Sequence, residues 1–282
     1  MTDSIPACLE VKTDHSEIEY IGMTSTASPI SSIRILGARI HIIHIMDVVE
    51  AMDDWIQNEP DQLHHVINTG MHGIMEAHRS PQVMSILNSA DLVAPDGILT
   101  ILVARFYGHR LRKKDTGPEL LSKFSETAQV RNYRFYFYGD TEETLEQLTL
   151  NLASEYPGIE VVGKHAPPFR ALTPEEDEAI VAEINQARPD VLWVGLGMPK
   201  QELWIHEHRE SLRVTVAVGA GAALKFMSGH VDRAPVRVQN LGFEWLWRLW
   251  QEPKRVWRRV FVDAPQFIVL TSLELLNLRK FD

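Results

Sequence analysis

The chain has 282 residues, 45% of them hydrophobic and 23% charged, which suits one large soluble domain or a domain with an appendage. Its formal net charge of -10 makes the chain as a whole a poor candidate for nonspecific nucleic-acid binding. A single cysteine, Cys8, excludes an intramolecular disulfide and a multi-cysteine metal site, and no stretch is apolar and uncharged enough to span a bilayer.

Residues 1–32 are rich in Ser, Thr and acids without periodicity, and are expected to form a flexible tail rather than a signal peptide. From Ile33 onward short apolar runs alternate with amphipathic stretches. "SIRILGARIHII" predicts two short strands about a glycine turn, "IMDVVEAMDDWIQ" a helix and "HHVINTG" a strand. "GIMEAHRSPQVMSIL" predicts a helix broken at Pro81. "DLVAPDG" reads as strand and corner, "ILTILVARFYG" as a helix and "RFYFYGD" as the next strand. In "TEETLEQLTLNLASEY", Asp140 is placed to cap the helix with Glu143 at capping-box spacing. "IEVVGKH" is a strand, and the following helix opens with Thr173 as N-cap, Pro174 at the first position and Glu176 completing a box. "DVLWVGLG", "PKQELWIHEHRESL" and "VTVAVGAG" then read strand, helix, strand. The alternation predicts an α/β fold over 33–236: a Rossmann-like, mostly parallel sheet with helices on both faces.

In such sheets ligands bind beyond the carboxyl ends of the strands. Four corners carry suitable residues: Asn68-Thr69-Gly70, Asp96-Gly97, Gly195 to Gln201, and Gly219 to Gly221. Neither "GLGMPKQE" nor "GAGAAL" completes G-x-G-x-x-G, because Lys200 and Leu224 stand at the third glycine, so a dinucleotide is not expected. Gly195, Gly197, Gly219 and Gly221 serve either tight turns or the backbone approach of a phosphate. Asp96 has three readings at this level: a cap for the next helix, a ligand for a substrate hydroxyl, or a general base. His72 is a candidate second acid/base group, with a surface or capping role as the alternative. No H-E-x-x-H and no Asp-x-Asp at a strand end is present, so no metal and no cofactor is expected.

Residues 237–282 differ in character and are expected to form a helical appendage broken near Pro253. They carry Trp245, Trp247, Trp250 and Trp257. Between Arg237 and Arg259, Arg237, Arg248, Lys254, Arg255, Arg258 and Arg259 stand against Glu244 and Glu252, a charge of +4 that leaves -14 on the remainder of the chain. Arg and Trp together suit a lipid headgroup layer, and Arg suits phosphate; a core-packing helix pair with a basic outer face is the alternative.

The order "SADLVAPDG", "TGPELL", "YFYGD", "KHAPPF", "PDVLWVGLGMPKQELWI", "VAVGAGAALKFMSG", "DRAP" and "GFEWLWRLWQEPKRVWRR" resembles the WecG/TagA/CpsF glycosyltransferases, glycosyltransferase family 26, from about Ile33 to about Val260. The resemblance implies an inverting, metal-independent transferase. It would move a sugar, often N-acetylmannosamine, from a UDP-sugar to a polyprenyl-diphosphate-linked sugar in bacterial cell-surface polysaccharide synthesis. It implies that Asp96 is the catalytic base and that Gln201 contacts donor phosphate or sugar. Arg248, Arg255, Arg258 and Arg259 would belong to an appendage that binds the inner face of the membrane and closes over the diphosphate. One departure stands out: the family's usual Thr-x-Asn before the "PDG" strand is here Asn68 and Gly70, which leaves Thr69 or His72 to supply contacts and opens the pocket to a different sugar. A catalytically altered nucleotide-sugar-binding or assembly protein of the same fold is the alternative function. No nucleic-acid partner is expected, and a homo-oligomer is left open.

Overall fold

The computed structural model describes residues 30–109, 111, 117–232, 234, 235, 238 and 244–281. Nearly all of the expected tail, Arg237 and the side chain of Arg255 lie outside the described residues.

The chain opens as a hairpin of β1 (Ser32–Ile35) and β2 (Ala38–His41), antiparallel and separate from the main sheet. Leu36 and Gly37 at its tip have φ of 51° and 85°, the left-handed pair that a two-residue hairpin needs to match strand twist. Next come α1 (Ile45–Asn58), β3 (His64–Thr69), α2 (Met71–Arg79), α3 (Pro81–Ser89), β4 (Leu92–Pro95), α4 (Ile98–Phe106), α5 (Gly117–Arg131) and β5 (Arg134–Gly139). The domain continues with α6 (Glu142–Glu155), β6 (Glu160–His165), α7 (Pro174–Ala187), β7 (Val191–Gly195), α8 (Lys200–Glu207), β8 (Val216–Gly219) and α9 (Ala223–Met227). Strands β3 to β8 form one six-stranded sheet in the order β4-β3-β8-β7-β5-β6, every pair parallel.

Strand alternation sorts the side chains to two faces. Val66, Phe135, Phe137, Trp193 and Val218 pack against α1, α5 and α6 on one side. On the other, Ile67 and Val93 meet the hairpin, α2, α3 and α4, while Tyr136, Tyr138 and Val194 meet α7 and α8. Both faces are covered, which is why the strands read as near-continuous apolar runs.

Local expectations hold at Pro81, where the helix breaks and Ser80 caps the new helix α3, and at Thr173 and Glu176, which form the reciprocal box. Two do not. Thr141, not Asp140, caps α6, by accepting from the Thr144 N–H; Asp140 has φ 58° and its carboxylate accepts from Thr141 N instead. Gly97, φ 77°, is the N-cap of α4, so Asp96 stands one residue before the capping position that its sequence reading gave it. Helix α5 was not anticipated, because its charged and polar residues obscure the apolar positions Leu120, Leu121, Phe124 and Ala128 that it buries.

Beyond the α/β domain the described chain continues as α10 (Glu244–Gln251), α11 (Pro253–Arg258), a π-helical turn (Arg259–Asp263) and α12 (Ala264–Leu275). The break at Pro253 is as expected, since proline cannot extend the hydrogen-bond ladder of α10. α12 packs on the hairpin side of the domain through Phe267, and Glu274 accepts the backbone N–H of Leu36.

The hairpin also covers β4, the sheet's edge, whose unpaired backbone groups would otherwise invite another strand. His41 Nδ1 accepts the Val93 N–H at 2.9 Å and Arg39 donates to the Ala90 carbonyl at 2.7 Å. Burial, with Arg39 nearby, lowers the His41 pKa from 6.5 to about 4, which keeps the ring nitrogen an acceptor. The folded value lies below the unfolded one, so this contribution is present above pH 6.5 and is lost as pH falls toward 4. His41→Asn keeps an acceptor but does not titrate. Urea unfolding at a series of pH values should show the variant gaining on the parent by roughly 2–3 kcal/mol between pH 6.5 and 4; parallel curves would contradict the assignment.

Candidate active site

Because the six strands are parallel, their carboxyl ends share one rim. The four expected corners all lie there: Asn68-Thr69-Gly70 after β3, Asp96-Gly97 after β4, Gly195–Gln201 after β7 and Gly219–Gly221 after β8. Strand order reverses around β3 and β8, the position where open sheets part to admit ligands.

The first two corners are built as one piece. The Asp96 N–H donates to the Thr69 carbonyl at 2.7 Å. A Cβ on Gly70 would stand 2.5 Å from the Asp96 carbonyl oxygen, so this approach is open only to glycine. Asp96 is half-buried at this joint, and the positive φ of Gly97 turns the chain directly into α4. Thr69 is buried, and its hydroxyl lies against Gly73 of α2. Asn68, by alternation with Val66, faces the α1 side of the sheet. Both its Oδ1 and its Nδ2 are buried without a hydrogen-bond partner. Its neighbours, Ala94 in register on β4 and Ala220 just past β8, are small. A buried amide with two unmet ends, one donor and one acceptor, fits a polar group of a ligand.

The other two corners are tied together by Gln201, which is 3% exposed. Its Oε1 accepts from the N–H groups of Gly197 at 3.0 Å and Gly221 at 3.1 Å, and its Nε2 donates to Glu202 Oε1 at 2.7 Å. Gln201 therefore shapes two glycine loops through its amide. Glu202, which the sequence reading passed over, is buried, and burial raises its pKa from 4.5 to about 7. Lys200 opens α8 with an exposed side chain, and Gly195, Gly197, Gly219 and Gly221 form the loop backbones. A fifth corner, Gly139-Asp140, joins the rim, with Asp140 Oδ2 3.9 Å from Lys225 Nζ of α9. Its signal was the "GD" ending of a predicted strand, masked by the capping interpretation.

The helices after Glu244 reach the rim from two sides. On the β8 side, Trp247 and Gln251 donate to the Asp232 carbonyl, and the Arg248 guanidinium lies over the Phe226 ring, 5.5 Å from its centroid. Arg248 Nε and Nη2 are buried without a hydrogen-bond acceptor, Glu252 standing 3.7 Å from Nη2. On the β3 side, Arg259 is close enough to His72 to depress its pKa, second to burial as a cause. Arg258 is exposed, and the Arg255 side chain is outside the described residues.

His72 has a partner the sequence could not reveal. Its Nδ1 lies 3.1 Å from Asp263 Oδ2, and Arg79 Nη2 lies 2.5 Å from Asp263 Oδ1. One ring nitrogen of the expected acid/base group is thus committed to a buried carboxylate. His72, Glu76 and Asp263 together have metal-like spacing, with ligand atoms within 4.8 Å. The Arg79 guanidinium already supplies the counter-charge, 3.1 Å from Glu76 and 2.5 Å from Asp263.

A profile of the glycosyl transferase WecG/TagA/CpsF family matches residues 33–281. The chain belongs to that family. An N-acetylglucosaminyldiphosphoundecaprenol N-acetyl-beta-D-mannosaminyltransferase of Bacillus spizizenii is 31% identical over 193 residues, covering 68% of this chain and 72% of the relative. The enzyme of the same name from Bacillus subtilis is 29% identical over 197 residues, 70% of this chain and 74% of its own length. The Staphylococcus aureus one is 26% identical over 228 residues, 81% and 88%. The chain is accordingly a glycosyltransferase.

The joint between Gly70 and Asp96 should be intolerant of one added carbon. Gly70→Ala is expected to leave a folded protein but to displace the Asp96 corner and lower sugar-transfer turnover by roughly 100-fold. Steady-state rates with circular dichroism of the variant check this, and parental turnover would contradict the contact.

Proposed function

We propose that this chain is an inverting N-acetylhexosaminyl transferase with Asp96 as base. Its donor is a UDP-sugar of the N-acetylmannosamine type, its acceptor is N-acetylglucosamine on a polyprenyl diphosphate, and it works at the inner face of a bacterial membrane. The observation that carries the reading is Asp96 itself: a half-buried carboxylate fixed by its backbone at the switch point of a sheet whose family is established. The names of the relatives supply the sugar and the acceptor.

The chemistry follows from single displacement. An acceptor hydroxyl oxygen attacks the anomeric carbon while the bond from that carbon to the β-phosphate oxygen breaks on the opposite face. The hydroxyl proton passes to the Asp96 carboxylate, and UDP leaves with the bonding pair. Negative charge grows on the departing diphosphate, which needs preorganised donors rather than an acid. Arg248, with unmet N–H groups, and Arg259 flank the rim, and the glycine loops held by Gln201 offer backbone N–H groups. These groups support a reaction without a metal. The two-ended amide of Asn68 suits a hydroxyl or acetamido group of the sugar, a different solution from the family's threonine.

Asp96→Asn should lower kcat/KM by about 1,000-fold or more while UDP affinity stays within about threefold, measured by product formation and calorimetry. A variant with near-parental rates would remove Asp96 as base.

The polyprenyl acceptor requires contact with lipid. Among the described residues no helix is long and apolar enough to cross a membrane. The helices after Glu244 nevertheless expose large apolar side chains: Trp250 is 77% exposed and Phe261 64%, with Trp245, Trp257, Ile268 and Leu276 also outward. The protein buries none of these, so the core-packing alternative does not account for them. Large outward-facing apolar groups beside arginines suit the headgroup boundary. Trp250→Ser with Phe261→Ser should weaken binding to anionic vesicles about tenfold or more, with turnover on a short, water-soluble acceptor preserved; unchanged vesicle binding would contradict this orientation.

A further inference from the structure

The segment that carries Arg248 and Arg259 must be held in place over the rim, and a carboxylate with no assigned role stands where it docks. We propose that Asp263 is a positioning residue. It latches the C-terminal helices onto α2 and so sets where the flanking arginines stand relative to Asp96.

Asp263 is fully buried. Burying a carboxylate is costly unless both oxygens find charged or hydrogen-bonding partners. Here each oxygen has one, and both partners come from α2: Oδ2 meets His72 near its start and Oδ1 meets Arg79 at its end. Seven residues, two helical turns, separate them, so one carboxylate spans a whole face of α2. Arg79 also donates to Gln266 Oε1 and to Glu76, closing the network around the first turn of α12. Phe267 and Thr271, four and eight residues beyond Asp263, are buried on the same stripe, and Glu274 ends it on the hairpin. Leu270 packs beside this stripe, while Gln266, Ile268, Val269 and Ser272 are exposed, so one side of α12 holds the helix.

The latch reaches the catalytic corner because α2 has no freedom there. Its N-cap, Gly70, touches the Asp96 carbonyl, and Gly73 rests on the Thr69 hydroxyl. α2 and Asp96 are therefore one rigid unit, and whatever Asp263 grips is held in register with Asp96. Arg259 begins the π turn that Asp263 ends, and it already lies near His72. Losing the latch should displace the arginines without moving the corner or the donor loops, which belong to β7, β8 and Gln201.

The catalytic part of the test rests on the proposed acceptor; the proteolytic part does not. Full-length Asp263→Asn and His72→Gln are compared with the parent, His72→Gln being the milder change because His72 is half-buried at the surface. With UDP-N-acetylmannosamine and a polyprenyl-diphosphate-linked N-acetylglucosamine, both variants should raise the acceptor KM about tenfold and leave the donor KM within about twofold. Trypsin should cut at Arg258 and Arg259 about tenfold faster in both, while the α/β domain stays resistant. Acceptor KM within about twofold of the parent in both variants would overturn the proposal. So would donor and acceptor constants worsening together in step with a falling melting temperature, because that marks a structural role only. If the parent transfers no sugar, the functional reading fails, and the latch stands or falls on protease protection alone, unchanged cleavage overturning it.

Discussion

Because Gly70 has no side chain, the end of β3 lies directly on the backbone of Asp96, and the Asp96 N–H closes on the Thr69 carbonyl. That joint does three things at once. It ends two neighbouring strands at the same height, it starts α2 within reach of the rim, and it holds Asp96 just before the N-cap of α4 rather than on it. The last point depends on Gly97, whose left-handed backbone takes the capping position that an aspartate before a helix commonly fills. A second joint, Gln201 bridging Gly197 and Gly221, fixes the corners after β7 and β8 as Gly70 fixes those after β3 and β4. The site is thus defined more by backbone held at fixed separations than by the number of polar side chains.

Charge explains the rest of the architecture. The chain as a whole is acidic, while the stretch from Arg237 to Arg259 is basic. The arginines suited to a diphosphate, Arg248 and Arg259, are carried on the helices after Glu244, near α9 and α2 respectively. Among the described residues those helices meet the body at the Asp232 carbonyl and the Phe226 ring, at the Asp263 network, and where Glu274 accepts the Leu36 N–H. Their outward faces are apolar and aromatic. A segment with Arg248 and Arg259 beside the body and apolar side chains outward would suit the proposed reaction, in which a nucleotide sugar comes from water and a prenyl lipid from the bilayer.

Much of this was legible in the residues. Alternating apolar runs and amphipathic stretches predicted the parallel sheet, and its four ligand-type corners fall on one rim because parallel strands leave no other arrangement. Capping chemistry was readable where the pattern was complete, at Thr173, and misplaced by one residue at Asp140, where a left-handed backbone intervenes. What could not be read were partnerships across long sequence separations. Nothing in "TGMHG" announces that His72 faces a carboxylate 191 residues downstream. Nothing in "PKQE" shows that Gln201 turns inward to hold two loops, or that Glu202 is buried against it. The loss of the family's Thr-x-Asn was visible as a departure, but only the fold shows its counterpart, an Asn68 amide with both ends unmet between two alanines.

The central claim is that one base, Asp96, drives a single displacement at the anomeric carbon. Its most direct test is the stereochemistry of the product. Given UDP-α-N-acetylmannosamine and N-acetylglucosamine on a polyprenyl diphosphate, the account predicts a disaccharide whose new linkage is β, established from the one-bond carbon–hydrogen coupling at the anomeric position by NMR. An α-linked product would require two displacements or a retained face and would contradict the mechanism.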